Sequence, residues 1–248
     1  MQSSKEWDAQ TYDRIADPMA RWGLVVSERL QLRGDETVLD AGCGSGRVTE
    51  HLLERLPTGR VIALDASQAM LDQAAERLAA DTRRVELVLA DLIDPLPIGE
   101  PVDAVLSTAT FHWVMDHERM FRNLAAVMLP GAQLAAQCGG AGNVSRVANA
   151  LKAMGYDWTD TKNYATPAHT EARLTAAGFV EVSTWLEPQP TRFSPGAPFE
   201  EYLRTIVLRD YVRRLPEDES AAFVHEVASR VGEPELDYVR LNIDARRG

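Results

Sequence analysis

Apolar residues along the first half of the chain fall into two alternating patterns. Val38–Asp40, Val61–Asp65, Val85–Ala90, Ala104–Ser107 and Gln133–Cys138 are short, nearly continuous apolar runs, several closing on an acid or a hydroxyl. Between them, Arg47–Arg55, Gln68–Ala80 and Glu118–Val127 space their apolar residues three and four apart, and Leu129-Pro130-Gly131 stops the last of these. Runs without alternation read as strands buried on both faces, and the stripes read as helices that cover them. Their regular succession predicts an α/β fold: a Rossmann-like, doubly wound sheet with helices on both sides.

The second half is less regular. Gly139–Asn143 reads as a flexible loop, Thr170–Ala177 as a helix stopped at Gly178, and Phe179–Leu186 and Tyr238–Ala245 as strands. Pro195–Val231 is mostly helical in pattern, with breaks expected at Pro198 and Pro216. The first thirty residues read as helices anchored by Trp7, Tyr12 and Trp22. The expected organisation is an N-terminal cap over 1–30, a core formed by 31–193 and 236–248, and a helical lid inserted at 194–235. Internal repeats and low-complexity segments are absent from the sequence.

Composition narrows the function. A chain of 248 residues that is 45% hydrophobic can bury a sizeable core. Its 26 basic against 37 acidic residues give a net charge of −11, unfavourable for wrapping phosphate backbones, so nucleic acid is not the expected partner. No apolar run is long enough to cross a bilayer and no signal-peptide pattern opens the chain, which predicts a cytoplasmic protein without a membrane partner. Two cysteines, Cys43 and Cys138, make neither a disulfide framework nor a zinc set, and the five histidines are scattered, so no metal is expected.

The chemistry concentrates after the first strand, in Asp40-Ala41-Gly42-Cys43-Gly44-Ser45-Gly46. Glycine at every second position lets the backbone turn sharply and lie against a bulky ligand. The loop leads into a helix, whose first N–H groups are expected to face the crevice. Dinucleotide sites need two residues between the second and third glycines, and a P-loop needs Gly-Lys-Ser/Thr; neither is present. Asp40 would repel a pyrophosphate but attract a cation, which suits a positively charged nucleoside such as S-adenosylmethionine. Asp65 closes the second strand nineteen residues beyond Gly46, about where an acid meets ribose hydroxyls in nucleotide folds. It could equally cap the next helix, a task open to Ser67 as well. Asp91 closes the third strand, where it could serve a ligand or cap a turn before Asp94-Pro95. Cys43 reads as a small side chain suited to a cramped turn.

The glycine loop resembles the first motif of the class I S-adenosylmethionine-dependent methyltransferases, and Leu89-Ala90-Asp91-Leu92 resembles their third. The resemblance implies a seven-stranded, mostly parallel sheet with its last strand antiparallel. It implies that Asp40, Gly42, Cys43, Gly44 and Gly46 form the cofactor loop. Asp65 and Ala66 would meet the ribose, Met70 would pack on the adenine, and Asp91 and Leu92 would bond its edge. Ser107 would lie beneath the sulfonium. Trp7 and Tyr12, in the N-terminal Trp-x-x-x-x-Tyr pattern, would close over the methionine end.

That pattern, with Gly-Cys-Gly and then Phe111-His112-Trp113-Val114, is similar to the trans-aconitate methyltransferase-like group, the malonyl-carrier-protein methyltransferases and the juvenile-hormone-acid methyltransferases. All methylate carboxylates. The acceptor is therefore expected to be a small molecule, with a carboxylic acid first. Thr108, Phe111, His112, Trp113 and Trp7 are the expected pocket, with Arg204 and Arg213 on the lid as carboxylate anchors. Asn/Asp-Pro-Pro-Tyr, found in amino methyltransferases of bases and glutamine, is absent after the fourth strand. If the acceptor is instead a hydroxyl, nitrogen or carbon centre of secondary metabolism, His112 is the candidate base. A non-catalytic methyltransferase-like binding domain is the remaining alternative, and the oligomeric state is not written in the pattern.

Overall fold

The apolar blocks become strands because each is too short and too continuous for a helix and carries branched residues that pack on a pleated surface. The computed structural model describes residues 17–156 and 161–248, with side chains described from Arg21 onward; Trp7 and Tyr12 lie outside the described residues. The strands are β1 (Thr37–Ala41), β2 (Arg60–Asp65), β3 (Val85–Leu89), β4 (Val102–Thr108), β5 (Met128–Gly139), β6 (Phe179–Pro188), β7 (Thr191–Arg192), β8 (Glu235–Leu236) and β9 (Val239–Arg247).

Seven of them form one sheet in the order β3-β2-β1-β4-β5-β9-β6. β1 to β5 pair in parallel, and β9 runs antiparallel to both β5 and β6. The expected doubly wound sheet with one antiparallel strand is borne out. β9 lies inside the sheet and β6 takes the edge. The order reverses between β1 and β4, which opens a crevice beyond the C-terminal ends of those strands, where ligands bind in folds of this kind.

The helices Asp17–Ser27, Arg47–Arg55, Gln68–Arg77, His117–Ala126 and Pro167–Ala176 accompany the sheet. The main apolar core packs Leu39, Ile62 and Val105 against Met120, Phe121 and Leu124. Phe111 meets Phe121 edge-on, centroids 5.7 Å apart, and both are fully buried. Truncating either to alanine would cost about 3–5 kcal/mol.

Three elements went unread in the sequence. The helix Ser145–Ala153 follows the loop at Gly139–Asn143, and Val144 before it sits at φ 48°, rare for a β-branched residue. β7 and β8 pair as a two-stranded ribbon at the base of the helical segment. Pro198 was expected to break a helix but sits in the first turn of Ala197–Tyr202, where its missing N–H has no partner to lose. A π-helical turn, Leu203–Val207, leads from there to Arg209–Val212, and Glu217–Val231 follows Pro216. These helices share a second apolar core with Ser145–Ala153, built from Val147, Leu151, Leu203, Tyr211, Val224 and Tyr238. No described helix is long and apolar enough to cross a membrane.

Candidate active site

The glycine loop is shaped by the strand beside it. Gly42 N–H and Cys43 N–H both donate to Leu64 C=O, at 2.7 and 3.0 Å, and Gly44 N–H donates to Asp65 Oδ2 at 2.9 Å. β2 thus takes three of the loop's N–H groups, and Gly46 N–H donates within the loop to Cys43 C=O. At Gly42 and Gly44 the loop presents bare Cα surface to the cavity above it. At Gly42 (φ 86°) a Cβ would lie 2.2 Å from Thr110 Oγ1, whereas at Gly44 (φ 55°) it would meet nothing within 4 Å.

Above this loop lies a cavity of about 820 Å³, in the upper part of the range typical of small-molecule sites. One half is lined by the C-terminal ends of β1 to β3: Gly42, Gly44, Asp65, Ala66 and Met70, with Asp91 and Leu92. Asp65 Oδ1 accepts from Ser67 N–H at 2.9 Å, while Ser67 Oγ itself caps the next helix by accepting from Met70 N–H. Asp91 Oδ1 accepts from Ile93 N–H at 3.2 Å. Both carboxylates thus have fixed rotamers at the cavity wall.

Asp40, Cys43, Gly46, Ser107 and Phe111, all expected at the ligand, are not in that wall. Asp40 is buried under the loop, where its Oδ2 accepts from Thr49 Oγ1 at 2.7 Å and its Oδ1 has no partner. Burial and then Asp65 raise its carboxyl to about 7, against the Thr49 bond. Cys43 packs with Ala63 and Leu71, and burial pushes its thiol well up, so it is an inert filler of a tight turn. Gly46 faces Ala74 and Leu78. Ser107 Oγ donates to Ala41 C=O at 2.7 Å, locking β4 to β1. Phe111 is core.

The other half of the cavity is made by residues far apart in sequence. Thr108, His112 and Trp113 come from the end of β4, and Asn143 and Val144 from the strained turn after β5. Lys162 and Tyr164 come from the loop before Pro167–Ala176, and Arg209, Asp210, Arg213 and Arg214 from the lid helices. Tyr238 and Arg240 come from the start of β9 and the turn before it. Arg213 is where the sequence placed it. Arg204 is not: its Nη1 donates to Ser220 Oγ at 2.8 Å, within the lid.

His112 is buried, its ring stacked on Tyr164 and tilted against Trp113. Its Nδ1 accepts from Gly139 N–H at 3.3 Å, so the neutral ring carries its proton on Nε2. Burial first, then Arg240 and Lys162, holds its basicity well below that of a free imidazole. A general base needs a free lone pair toward the acceptor; the sequence-predicted base is instead a hydrogen-bond donor.

The cationic groups form two sets. Lys162 Nζ lies 3.9 Å above the Trp113 ring and 3.0 Å from Asp210 Oδ2, with Arg209 3.1 Å from Oδ1 of the same carboxylate. Burial lowers Lys162 to about 8, and Asp210 partly offsets this. Arg240, 2% exposed, stacks over Trp22 at 4.8 Å. Its Nε donates to Gln137 Oε1 at 3.3 Å, and among the described residues no carboxylate lies within ion-pair distance. Lys162 and Arg240 went unnamed as candidate ligands because no local pattern joins residues 162 and 240, and Arg209 stood among the arginines of the helical segment without being singled out.

Known proteins agree with this geometry. Residues 38–131 match the model of a methyltransferase domain. The trans-aconitate 2-methyltransferase of Variovorax paradoxus (strain S110) is 29% identical over 91% of this chain and 89% of its own length. That of Paracidovorax citrulli (strain AAC00-1) is 38% identical over 53% of this chain, a match spanning about half of that relative. Among solved structures, phosphoethanolamine N-methyltransferase 2 of Haemonchus contortus, in complex with S-adenosylhomocysteine, superposes with a TM-score of 0.65. It is 15% identical, and the match covers 96% of this chain and 56% of that one. The geranyl diphosphate C-methyltransferase of Streptomyces coelicolor A3(2) gives 0.57 at 18% identity, over 92% and 76% of the two chains.

Proposed function

We propose that this chain, an S-adenosylmethionine-dependent methyltransferase, esterifies one carboxylate of a small acid that carries at least one more. One observation carries the reading: Arg240 is a buried guanidinium that opens on the cavity with no acid beside it among the described residues. A buried charge is costly until it is paired. In a chain of net charge −11, Arg240 together with Lys162, Arg209, Arg213 and Arg214 makes this half of the cavity a site for an anion. The relatives named trans-aconitate 2-methyltransferase point to the same chemistry.

The other half suits S-adenosylmethionine, which supplies a methyl group activated by sulfonium charge. Asp65, at the end of β2 on the cavity wall, is a carboxylate of the kind that accepts from ribose hydroxyls. Met70 and Leu92 offer apolar surface to an adenine, Asp91 an acceptor for its amino group, and Gly42 and Gly44 permit close approach. Asp40 would act through the field beneath the loop rather than by contact.

A carboxylate is nucleophilic without a base, so the residues have three tasks. Arg240 and the lid cations hold the carboxylates that are not to react. His112 Nε2–H donates a hydrogen bond that orients the acceptor, which is consistent with its poor basicity. The segment 194–235 covers the site and excludes water. Position and desolvation together supply most of the acceleration in such a displacement.

The test is product analysis with S-adenosylmethionine and a panel of tricarboxylic, dicarboxylic and monocarboxylic acids, trans-aconitate first. Methyl esters should form, with kcat/KM rising with the number of carboxylates. Arg240→Met should raise KM for the acid roughly 10- to 100-fold, the worth of a hydrogen bond to a charged group, with KM for S-adenosylmethionine unchanged. Methylation of neutral hydroxyl acceptors alone would overturn the reading.

A further inference from the structure

Strand β9 lies inside the sheet and is covered on both faces, so a continuous apolar run is expected there. It alternates instead. Leu241, Ile243 and Ala245 enter the main core, while Arg240, Asn242 and Asp244 turn to the other side. Arg240 and Asn242 are 2% and 1% exposed. A polar stripe so deep needs a reason.

Buried arginine is ordinarily matched by a carboxylate. Two acids stand close enough in register to serve: Glu187 is opposite Arg240 on β6, and Asp244 is four residues further along β9. Both are engaged elsewhere. Glu187 accepts from Gln189 Nε2 at 2.7 Å and from Asn242 Nδ2 at 3.3 Å. Asp244 pairs with Arg29 Nε at 3.2 Å. What Arg240 meets is the neutral amide of Gln137, on β5.

The amide cannot turn over. Gln137 Nε2 donates to Asn242 Oδ1 at 2.9 Å, and Arg29 Nη1 donates to the same oxygen at 2.8 Å. With that oxygen fixed as an acceptor, Gln137 must offer its NH2 to Asn242 and its Oε1 to Arg240. Arg29 is held in turn by Ala136 C=O and by the Trp185 ring. The chain Arg29, Asn242, Gln137, Arg240 thus crosses from the helix side of the sheet to the cavity, and every link is a neutral group or a cation.

We propose that Gln137 is a specificity-determining positioning residue: it orients Arg240 with an uncharged amide, leaving the full guanidinium charge for an anionic acceptor, while Asn242 and Arg29 set the amide. The proposal rests on the carboxylate reading above. An acid at position 137 would orient Arg240 as well, but would satisfy it internally and remove the demand for substrate.

Gln137→Glu tests this in the full chain, because side-chain shape is retained while the amide is exchanged for a carboxylate, which also withdraws the N–H donated to Asn242 Oδ1. KM for trans-aconitate should rise roughly 10- to 100-fold, the scale of a charge-assisted hydrogen bond, while KM for S-adenosylmethionine holds. Trans-aconitate affinity, titrated in the presence of S-adenosylhomocysteine, should fall by the same factor. Preference should also shift toward acids with fewer carboxylates, which a purely structural defect would not produce. Gln137→Met, which keeps Arg240 unpaired but loosens it, should raise the acid KM less than the acidic variant does, and it serves as the test if that variant does not fold. Wild-type KM for the acid in both variants would overturn the role of Gln137 while leaving esterification intact. Failure of the wild type to bind or methylate any carboxylic acid would overturn both.

Discussion

The two halves of the cavity are built on different principles. The half at β1 to β3 is made by backbone: a loop whose N–H groups are already bonded to β2, and two carboxylates fixed by local turns. Its shape is set over short stretches of chain, from Asp40 to Gly46, Asp65 to Met70, and Asp91 to Leu92. The half under the lid is made by side chains that converge from five separate segments, and its charge is opposite. Acids line the end proposed for a cationic cofactor, and bases the end proposed for an anionic acceptor. Local backbone can carry the shape of one half, while the charge of the other is carried by side chains that meet only in the folded chain.

The difference predicts how each half breaks. The largest effect belongs to Gly42→Ala. At φ 86° an added Cβ would lie 2.2 Å from Thr110 Oγ1, whose hydroxyl has the Thr108 carbonyl at 2.9 Å and the Gly42 carbonyl at 3.2 Å as its acceptors. Left-handed strain and overpacking together should cost about 2–5 kcal/mol, read as a lower melting temperature with loss of S-adenosylmethionine binding. Gly44→Ala, with nothing within 4 Å, is the counterpart. It should keep most of the stability and lose cofactor affinity, because its Cβ would stand in the cavity. Equal melting temperatures for the two variants would remove the distinction between scaffold and ligand-facing glycines.

The same contrast explains what was legible in the sequence. Strand–loop–helix units are local, so the sheet, the glycine loop and the positions of Asp65 and Asp91 could be read from spacing alone. Contacts across the sheet could not. Asp40 and Ser107 were expected at the ligand, but the Asp40 carboxylate is held by Thr49 on the following helix and the Ser107 hydroxyl by the Ala41 carbonyl on β1. Arg204 and Arg213 were both expected as anchors, but nothing in the sequence showed that Ser220, sixteen residues on, would take up Arg204. Ser145–Ala153 was missed because its first turn is capped by Asp237, a residue on the far side of the lid. Arg240 was missed because an arginine at the head of a strand gives no sign of whether an acid will be waiting opposite.

A smaller effect separates binding from scaffolding within the first half. Asp65→Ala removes the acceptor for Gly44 and Ser67 N–H and the group proposed to meet the ribose. S-adenosylmethionine affinity should fall by ~1–3 kcal/mol in a calorimetric titration, the scale of a lost buried partner. Asp65→Asn keeps one oxygen for a backbone amide and should lose less. An unchanged isotherm in both would detach Asp65 from the cofactor.

The smallest expected effect tests the second half by pH. Lys162 is cationic below its value of about 8 and neutral above it, because burial opposes the charge more than Asp210 favours it. Raising the pH through about 8 therefore removes one positive charge from the half proposed to hold the acid. Asp210 already compensates part of that charge, and the arginines of this half remain beside it. The kcat/KM for the acid, which reports the free enzyme, should fall by roughly two- to fivefold above that pH, the scale of a partly screened pair. Affinity for S-adenosylmethionine should follow Asp40 at about 7 rather than Lys162, which lies over Trp113 in the opposite half. Lys162→Arg should flatten the profile and keep its acid-side level, while Lys162→Met should flatten it at the alkaline level. A step that survives in Lys162→Arg would move the titration to another group and leave the division of charge between the halves resting on the arginines alone.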